Sequence, residues 1–170
     1  MGVTIHYEGQ LNSITDYQTV IDKAESFAKI NSMEYELFES PSKKLSRVKD
    51  EKDWDYEGPV KGIKIQPSEN TDPLWLEFDE NYYTQDFCKT QFADIEIHIK
   101  IIDLFKQIAQ HFKVLTIVDE GEYWETEDPA HLQDLVNDCF YAMEEAVKEN
   151  NRLTGPLRVE DGRIIDLMEE

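Results

Sequence analysis

The chain has 170 residues, of which 37 are acidic and 17 are basic, so its formal net charge is −20. This excess of acid argues against a nucleic-acid-binding surface, which needs Lys and Arg for the phosphates, and against binding to anionic membranes. The length predicts a single domain spanning 1–170, and a hydrophobic fraction of 40% excludes a disordered chain.

The sequence also predicts a compartment. Its first residues contain no basic stretch leading into an apolar run, and no window approaches the ~18 apolar residues that span a bilayer. The two cysteines, Cys88 and Cys139, are far apart and form no C-x-x-C pair. Two unpaired thiols are typical of a reducing environment, so we expect a cytoplasmic protein.

The first 39 residues show clear periodic patterns. Apolar and polar residues alternate over 3–8, which predicts a half-buried strand. Ser13 and Asp16 then form a capping-box pattern, and apolar residues recur every three or four positions up to Asn31, which predicts an amphipathic helix. Alternation returns over 33–39 and indicates a second strand.

Residues 40–59 break this regularity. They contain Pro41, a mixed-charge run over 49–53 and a closing Gly58-Pro59. We therefore expect an exposed loop over 40–59. Its large aromatic residues, Trp54 and Tyr56, either hold the loop against the body of the protein or form a flap over a binding site, since loops of this length are often functional.

Strand patterns follow over 60–66 and 74–78, with a spacing that favours an antiparallel meander. The next periodic stretch, 94–112, fits two interpretations. Its length and its lack of Gly and Pro favour a helix. The alternative is a strand over 95–101 followed by a shorter helix.

The last third completes the predicted fold. A nearly continuous apolar run over 114–118 is typical of a central strand covered on both faces. Asp128 begins a third helix that ends near Asn150. Asp161-Gly162, between apolar runs in the tail 152–170, indicates a hairpin. The order of elements predicts an α+β two-layer sandwich with three helices and a mixed sheet of about five strands.

The charge is unevenly distributed along the chain. Residues 119–149 contain eleven acids and one base, which is half of the net charge. Within them, 119–128 has six carboxylates with Tyr123 and Trp124 between them. Three interpretations compete for this segment: complementing the dipole of the following helix, binding a basic protein, and holding a divalent metal or a catalytic centre. The candidate partner-binding residues are Asp119, Glu120, Glu122, Tyr123, Trp124 and Glu125.

Familiar catalytic motifs are missing from the sequence. The four histidines do not have zinc-ligand spacing, and neither a nucleophile elbow nor a glycine-rich phosphate loop occurs. We therefore predict no catalytic, cofactor-binding or metal-binding residue, and we expect a binding protein rather than an enzyme.

The leading hypothesis is a small acidic cytoplasmic module that engages a basic protein, in the manner of an inhibitor or an immunity protein. The alternative is an enzyme or small-molecule-binding domain that uses the 119–128 carboxylates beneath the 40–59 loop. Trp54 and Tyr56 discriminate between the two hypotheses, because only the alternative requires them to close over Glu122 and Trp124. The sequence leaves the oligomeric state open.

Overall fold

The structure is a computed structural model that describes residues 2–49 and 52–170. In it, the N-terminal strand belongs to a three-stranded antiparallel sheet. Strand β1 (Thr4–Leu11) lies at its centre, between β5 (Tyr83–Lys89) and β6 (Phe112–Asp119). The sequence predicts the first of these strands and not β5. Because β5 turns the polar side chains of Thr84 and Asp86 inward, its alternation carries no hydrophobic signal.

A second antiparallel sheet follows the predicted meander. It contains β2 (Glu34–Lys49), β3 (Lys52–Gln66) and β4 (Leu74–Phe78), in that spatial order. The predicted antiparallel meander is confirmed. The mixed sheet is not found, because every strand pair among the described residues is antiparallel and the strands divide among two three-stranded sheets and two short strand pairs.

Helices cover the inner side of the sheets, and the α+β class is confirmed. The predicted cap of the first helix is present, since the Ser13 side chain accepts a hydrogen bond from the Asp16 N–H at 3.2 Å. The helix interpretation of 94–112 is also confirmed, with a 3₁₀ turn at Ala109–His111 after it. The α-helices of the described residues are α1 (Ile14–Ile30), α2 (Ile95–Ile108), the short α3 (Tyr123–Thr126) and α4 (Pro129–Glu149).

The core lies between α1, α2 and the inner faces of both sheets. Tyr7, Phe78 and Phe105 are its largest fully buried side chains. The Tyr7 hydroxyl donates a hydrogen bond of 2.6 Å to the Trp75 carbonyl, which links β1 to β4 across the gap between the sheets. Burial of this ring and its neighbours supplies most of the favourable free energy of folding.

The segment 40–59 is a β-hairpin rather than a loop. The β2–β3 ladder extends from Glu34 opposite Gln66 out to Lys49 opposite Lys52, and residues 50 and 51 of the mixed-charge run lie outside the described residues. Pro41 and Pro59 both fall in an irregularity of the ladder, where no cross-strand pair is formed. A bulge tolerates proline because the missing N–H is not needed there, so these prolines do not interrupt the hairpin.

The strand predicted over 114–118 exists but is not central. It forms part of β6, at the edge of its sheet, where Val114 and Val118 are 55% and 56% exposed. Only one of its faces contacts the core, through Ile117 and Leu115. A continuous apolar run therefore predicted the strand correctly and its position wrongly.

The tail contains the hairpin that Asp161-Gly162 predicts. Its strands are β8 (Leu157–Arg158) and β9 (Ile164–Ile165). Asp72 fastens this hairpin to the body, because its buried carboxylate accepts from the Ile164 N–H at 2.7 Å and from the Lys89 N–H at 3.0 Å. Outside the hairpin, β7 (Leu153–Thr154) pairs with β10 (Met168–Glu169).

Candidate functional site

The acidic segment 119–128 begins with a carboxylate that faces the interior. Asp119 is 6% exposed, and its two oxygens accept hydrogen bonds from the Gly121 N–H at 2.8 Å and the Trp124 N–H at 2.9 Å. The carboxylate also lies 2.9 Å from Nε2 of the buried His98. These contacts close the turn between β6 and α3, so Asp119 sets the shape of the segment.

A buried chain of polar side chains continues from Asp119. His98 Nδ1 lies 2.6 Å from the Thr90 hydroxyl, and the two residues are 2% and 3% exposed. Burial raises the pKa of Asp119, but the hydrogen bond and charge of His98 and the two N–H donors outweigh it, so the pKa lies below its usual value. Although threonine, histidine and aspartate are types found in catalytic triads, solvent does not reach this hydroxyl, and the chain serves to hold the segment.

The two aromatic residues of the segment pack inward. Tyr123 and Trp124 are half-buried and lie against the hydrophobic core. The Lys106 ammonium group lies 5.7 Å from the centre of the Trp124 ring and also bonds to Glu127, whose pKa this contact lowers. The rings of Tyr123 and Trp124 therefore contribute mainly to packing at the start of α3.

Most of the remaining carboxylates also have intramolecular partners. Glu120 contacts His6 at 3.3 Å, Glu122 contacts His131 at 2.7 Å, and Asp128 caps α4 by accepting from the Ala130 N–H at 3.0 Å. Within residues 2–49 and 52–170, Glu125 makes no hydrogen bond or ion pair through its side chain. Glu120, Glu122 and Glu125 nevertheless remain exposed, so three of the six candidate residues lie on the surface.

The β2–β3 hairpin packs elsewhere. The Tyr56 hydroxyl donates to the Pro59 carbonyl at 2.8 Å and accepts from the Glu80 N–H at 3.2 Å. Glu80 lies in the β4–β5 turn, beside the Leu11 end of β1, whereas Asp119 pairs with Ile5 near the other end. Six strand residues separate the two places, a distance of about 20 Å. Tyr56 is therefore anchored far from the acidic segment, while Trp54 is 40% exposed.

A second acidic surface continues from the segment along α4. Three exposed residues recur at helical spacing on its outer side: Asp134, Asp138 and Tyr141. Tyr141 is 65% exposed, and in the part of the chain that the structure describes Asp134, Asp138 and the nearby Glu144 take part in no ion pair. We call Asp134, Asp138, Tyr141 and Glu144 the acidic face.

The acidic face joins the predicted segment, because the Glu122–His131 contact connects the two. Sequence reasoning passed over Tyr141, although a signal for it exists. The residue falls outside the apolar stripe of α4 and lies seven positions, about two turns, after Asp134. An aromatic residue in phase with carboxylates rather than with the stripe indicates exposure.

Comparison with protein-family models, with curated proteins and with solved structures finds no match to this chain. Among the described residues, no three His, Cys, Asp or Glu side chains are grouped so that they could hold a metal ion. None of the helices described has the length and apolar character needed to cross a membrane.

Proposed function

We propose that this protein is a small, acidic, cytoplasmic protein-binding module that engages a basic partner through the acidic face and the exposed carboxylates of 119–128. The observation that carries the proposal is Tyr141, which is 65% exposed among carboxylates that have no ion-pair partner in the described chain. Tyrosine is enriched among the residues that dominate binding energy, and unpaired charge around it favours a surface of opposite sign.

The predicted site residues divide into two roles under this proposal. Glu120, Glu122 and Glu125 extend the acidic face and contact the partner at its rim. Asp119, Tyr123 and Trp124 act as positioning residues, because they fix the turn and the short helix that present those carboxylates. An inhibitor or immunity protein that neutralises a basic protein would use a surface of this kind.

The experiment is an affinity capture that compares charge-reversed baits. Asp134→Lys with Asp138→Lys reverses two carboxylates of the acidic face. Asp22→Lys with Asp103→Lys makes the same change in net charge at two exposed positions of α1 and α2. We expect the wild type and the α1/α2 control to recover the same basic protein from the native host, and the α4 variant to lose it. Equal recovery by all three baits would remove the support for the proposal.

A further inference from the structure

A second site, independent of the acidic face, lies under the β2–β3 hairpin. A cleft of about 860 Å³ separates the hairpin from the outer face of the β5-β1-β6 sheet. The exposed side chains of Phe87 and Val118 form an apolar part of its floor, and residues 44–48 form the opposite wall. Its volume is within the range of ~300–1,000 Å³ that is usual for small-molecule sites.

The hairpin wall of the cleft is held in place by one glutamine. The Gln85 side chain accepts from the Val48 N–H at 2.8 Å and donates to the Val48 carbonyl at 2.6 Å. Both backbone groups of Val48 are thus bonded to β5, much as in a ladder pair. The cleft is therefore a formed feature of the fold.

The same wall contains a buried guanidinium group with unmet hydrogen-bonding capacity. Arg47 is 3% exposed, and its Nη1 donates to the Gln85 carbonyl at 3.3 Å. Its Nε and Nη2 have no acceptor among the described residues. The nearest carboxylate oxygen, on Asp79, lies 3.9 Å from Nη2, which is too long for a hydrogen bond. Buried donors left unsatisfied destabilise the folded state, so an acceptor that bonds to Nε and Nη2 of Arg47 would be stabilising.

The acidic groups of the cleft already have partners. Asp86 pairs with Arg163 at 2.5 Å, Glu77 pairs with Lys43 at 2.6 Å, and Glu8 accepts a hydrogen bond from Gln85. Lys44, at the rim, pairs with Asp55. Arg47 itself lies 3.9 Å from the buried Asp79 carboxylate, so the guanidinium group lacks hydrogen-bond acceptors rather than a counter-charge.

We propose that this cleft binds an organic anion, with its apolar body on Phe87 and Val118 and its anionic group on the Arg47 guanidinium. Nε and Nη2 are shielded from solvent in this structure, so the proposal requires the long Arg47 side chain to rotate when the anion binds. Arginine suits this role because its planar group binds carboxylate, sulfonate or phosphate oxygens in pairs.

The test uses 1-anilinonaphthalene-8-sulfonate as a fluorescent anion and N-phenyl-1-naphthylamine, the same ring system without the sulfonate, as its neutral counterpart. We expect saturable 1:1 binding of the anion, at least tenfold tighter than that of the neutral probe. Arg47→Met, which keeps most of the side-chain volume, should weaken binding of the anion at least tenfold and leave binding of the neutral probe unchanged. Arg152→Met, a distant exposed arginine, is the matched control.

A blocking variant and two competing ligands complete the test. Val118→Trp places a large ring in the cleft from an exposed position, so it should block the anion even if Arg47→Met proves unstable. Octanoate should displace the probe and inorganic phosphate alone should not, which would identify an anion with an apolar body as the ligand class. Equal affinity for both probes, or unchanged binding of the anion either in a folded Arg47→Met variant or in Val118→Trp, would overturn the proposal. None of these variants alters the acidic face, so the outcome is separate from that of the capture experiment.

Discussion

Asp119 is the residue that determines the shape of the acidic segment, through the contacts of its carboxylate. It is ionised and buried, its oxygens accept hydrogen bonds from two backbone N–H groups, and it lies 2.9 Å from Nε2 of His98. Such a carboxylate stabilises the fold only while all of its partners remain, because a buried charge or donor without a partner is costly.

Replacing this carboxylate tests its structural role. Asp119→Asn keeps the size of the side chain but removes the charge and directs an N–H₂ group towards existing donors. We expect urea denaturation to show a loss of about 2–4 kcal/mol in the free energy of unfolding. Glu125→Gln, an exposed residue of the same segment, should leave that free energy unchanged. An Asp119→Asn variant with an unchanged free energy of unfolding would show that the turn forms without the carboxylate.

The pH dependence of stability follows from the same residue. Crowding of like charges in 119–128 would raise the pKa values of its carboxyl groups, and acidification to pH ~5 would then stabilise the fold. The structure instead pairs these groups, and the pKa values of Asp119 and Glu127 are lowered. A lowered folded-state pKa gives stability that is present above the unfolded value of ~3.9 for Asp and is lost as pH falls through the folded value.

We therefore expect no stabilisation from this segment between pH 7 and pH 5, and a loss of stability below about pH 4 that Asp119→Asn reduces. Thermal unfolding of both proteins across this pH range measures the effect. An Asp119-dependent increase in stability on acidification to pH 5 would contradict the pairing described here.

At the scale of elements, the β2–β3 hairpin depends on contacts made far away in the sequence. The Gln85 side chain holds Val48, and Tyr56 holds the β4–β5 turn at Glu80. We expect Gln85→Ala to reduce the hydrogen-exchange protection of the Val48 amide roughly tenfold, because an intramolecular hydrogen bond contributes about 0.5–1.5 kcal/mol. Gln10→Ala, which removes a side-chain bond to the Asn81 carbonyl in the β4–β5 turn, should not affect that amide.

Close packing of β3 against β4 leads to a second prediction at this scale. A Cβ atom on Gly62 would lie 1.8 Å from the Leu76 carbonyl oxygen, which is backbone and has no freedom to move aside. Gly62→Ala should therefore destabilise the protein by about 3 kcal/mol or more, as measured by urea denaturation. Ser46→Ala, at an exposed position of the hairpin, is the control. A stable Gly62→Ala variant would contradict the close approach of the two strands.

The elements that the sequence predicts well are those whose signals are local. The Ser13 and Asp128 caps and the apolar stripes behind them place α1 and α4 almost to the residue. The hairpin over 40–59 and β5 have no such local signal. The prolines of the hairpin are tolerated only by its bulge, and Asp86 is tolerated in β5 because Arg163, 77 residues away, pairs with it.

In the candidate site too, some features can be predicted from local sequence signals and others depend on contacts made only in the folded protein. Charge counts identify the acidic region of the chain, but they cannot show which carboxylates already have partners, since His6, His98, Lys106 and His131 approach the segment only in the folded state. Exposure of Tyr141 is detectable from helical phase. Burial of Tyr123 and Trp124 depends on how the short helix α3 packs, which no pattern in the sequence indicates.

For the whole molecule, the net charge of −20 is the dominant feature. Several acids are paired internally, but the acidic face is not, so repulsion among its carboxylates should destabilise the fold at low ionic strength. We expect the melting temperature to rise between low and physiological salt, because added ions screen this repulsion over a Debye length of ~10 Å at 0.1 M. A flat or falling response would show that internal pairs dominate the electrostatics.

The central claim is that the acidic face binds a basic protein, and binding kinetics with the captured partner test it most directly. We expect association of the wild type to slow roughly tenfold or more from low to physiological salt, and Asp134→Lys with Asp138→Lys to slow it further. Tyr141→Ala should act mainly on dissociation, at a cost of about 2 kcal/mol. Trp124→Ala, whose ring packs inward, should affect binding only as far as it disturbs α3. Wild-type association and dissociation rates in both the charge-reversed and the Tyr141→Ala variants would contradict the claim.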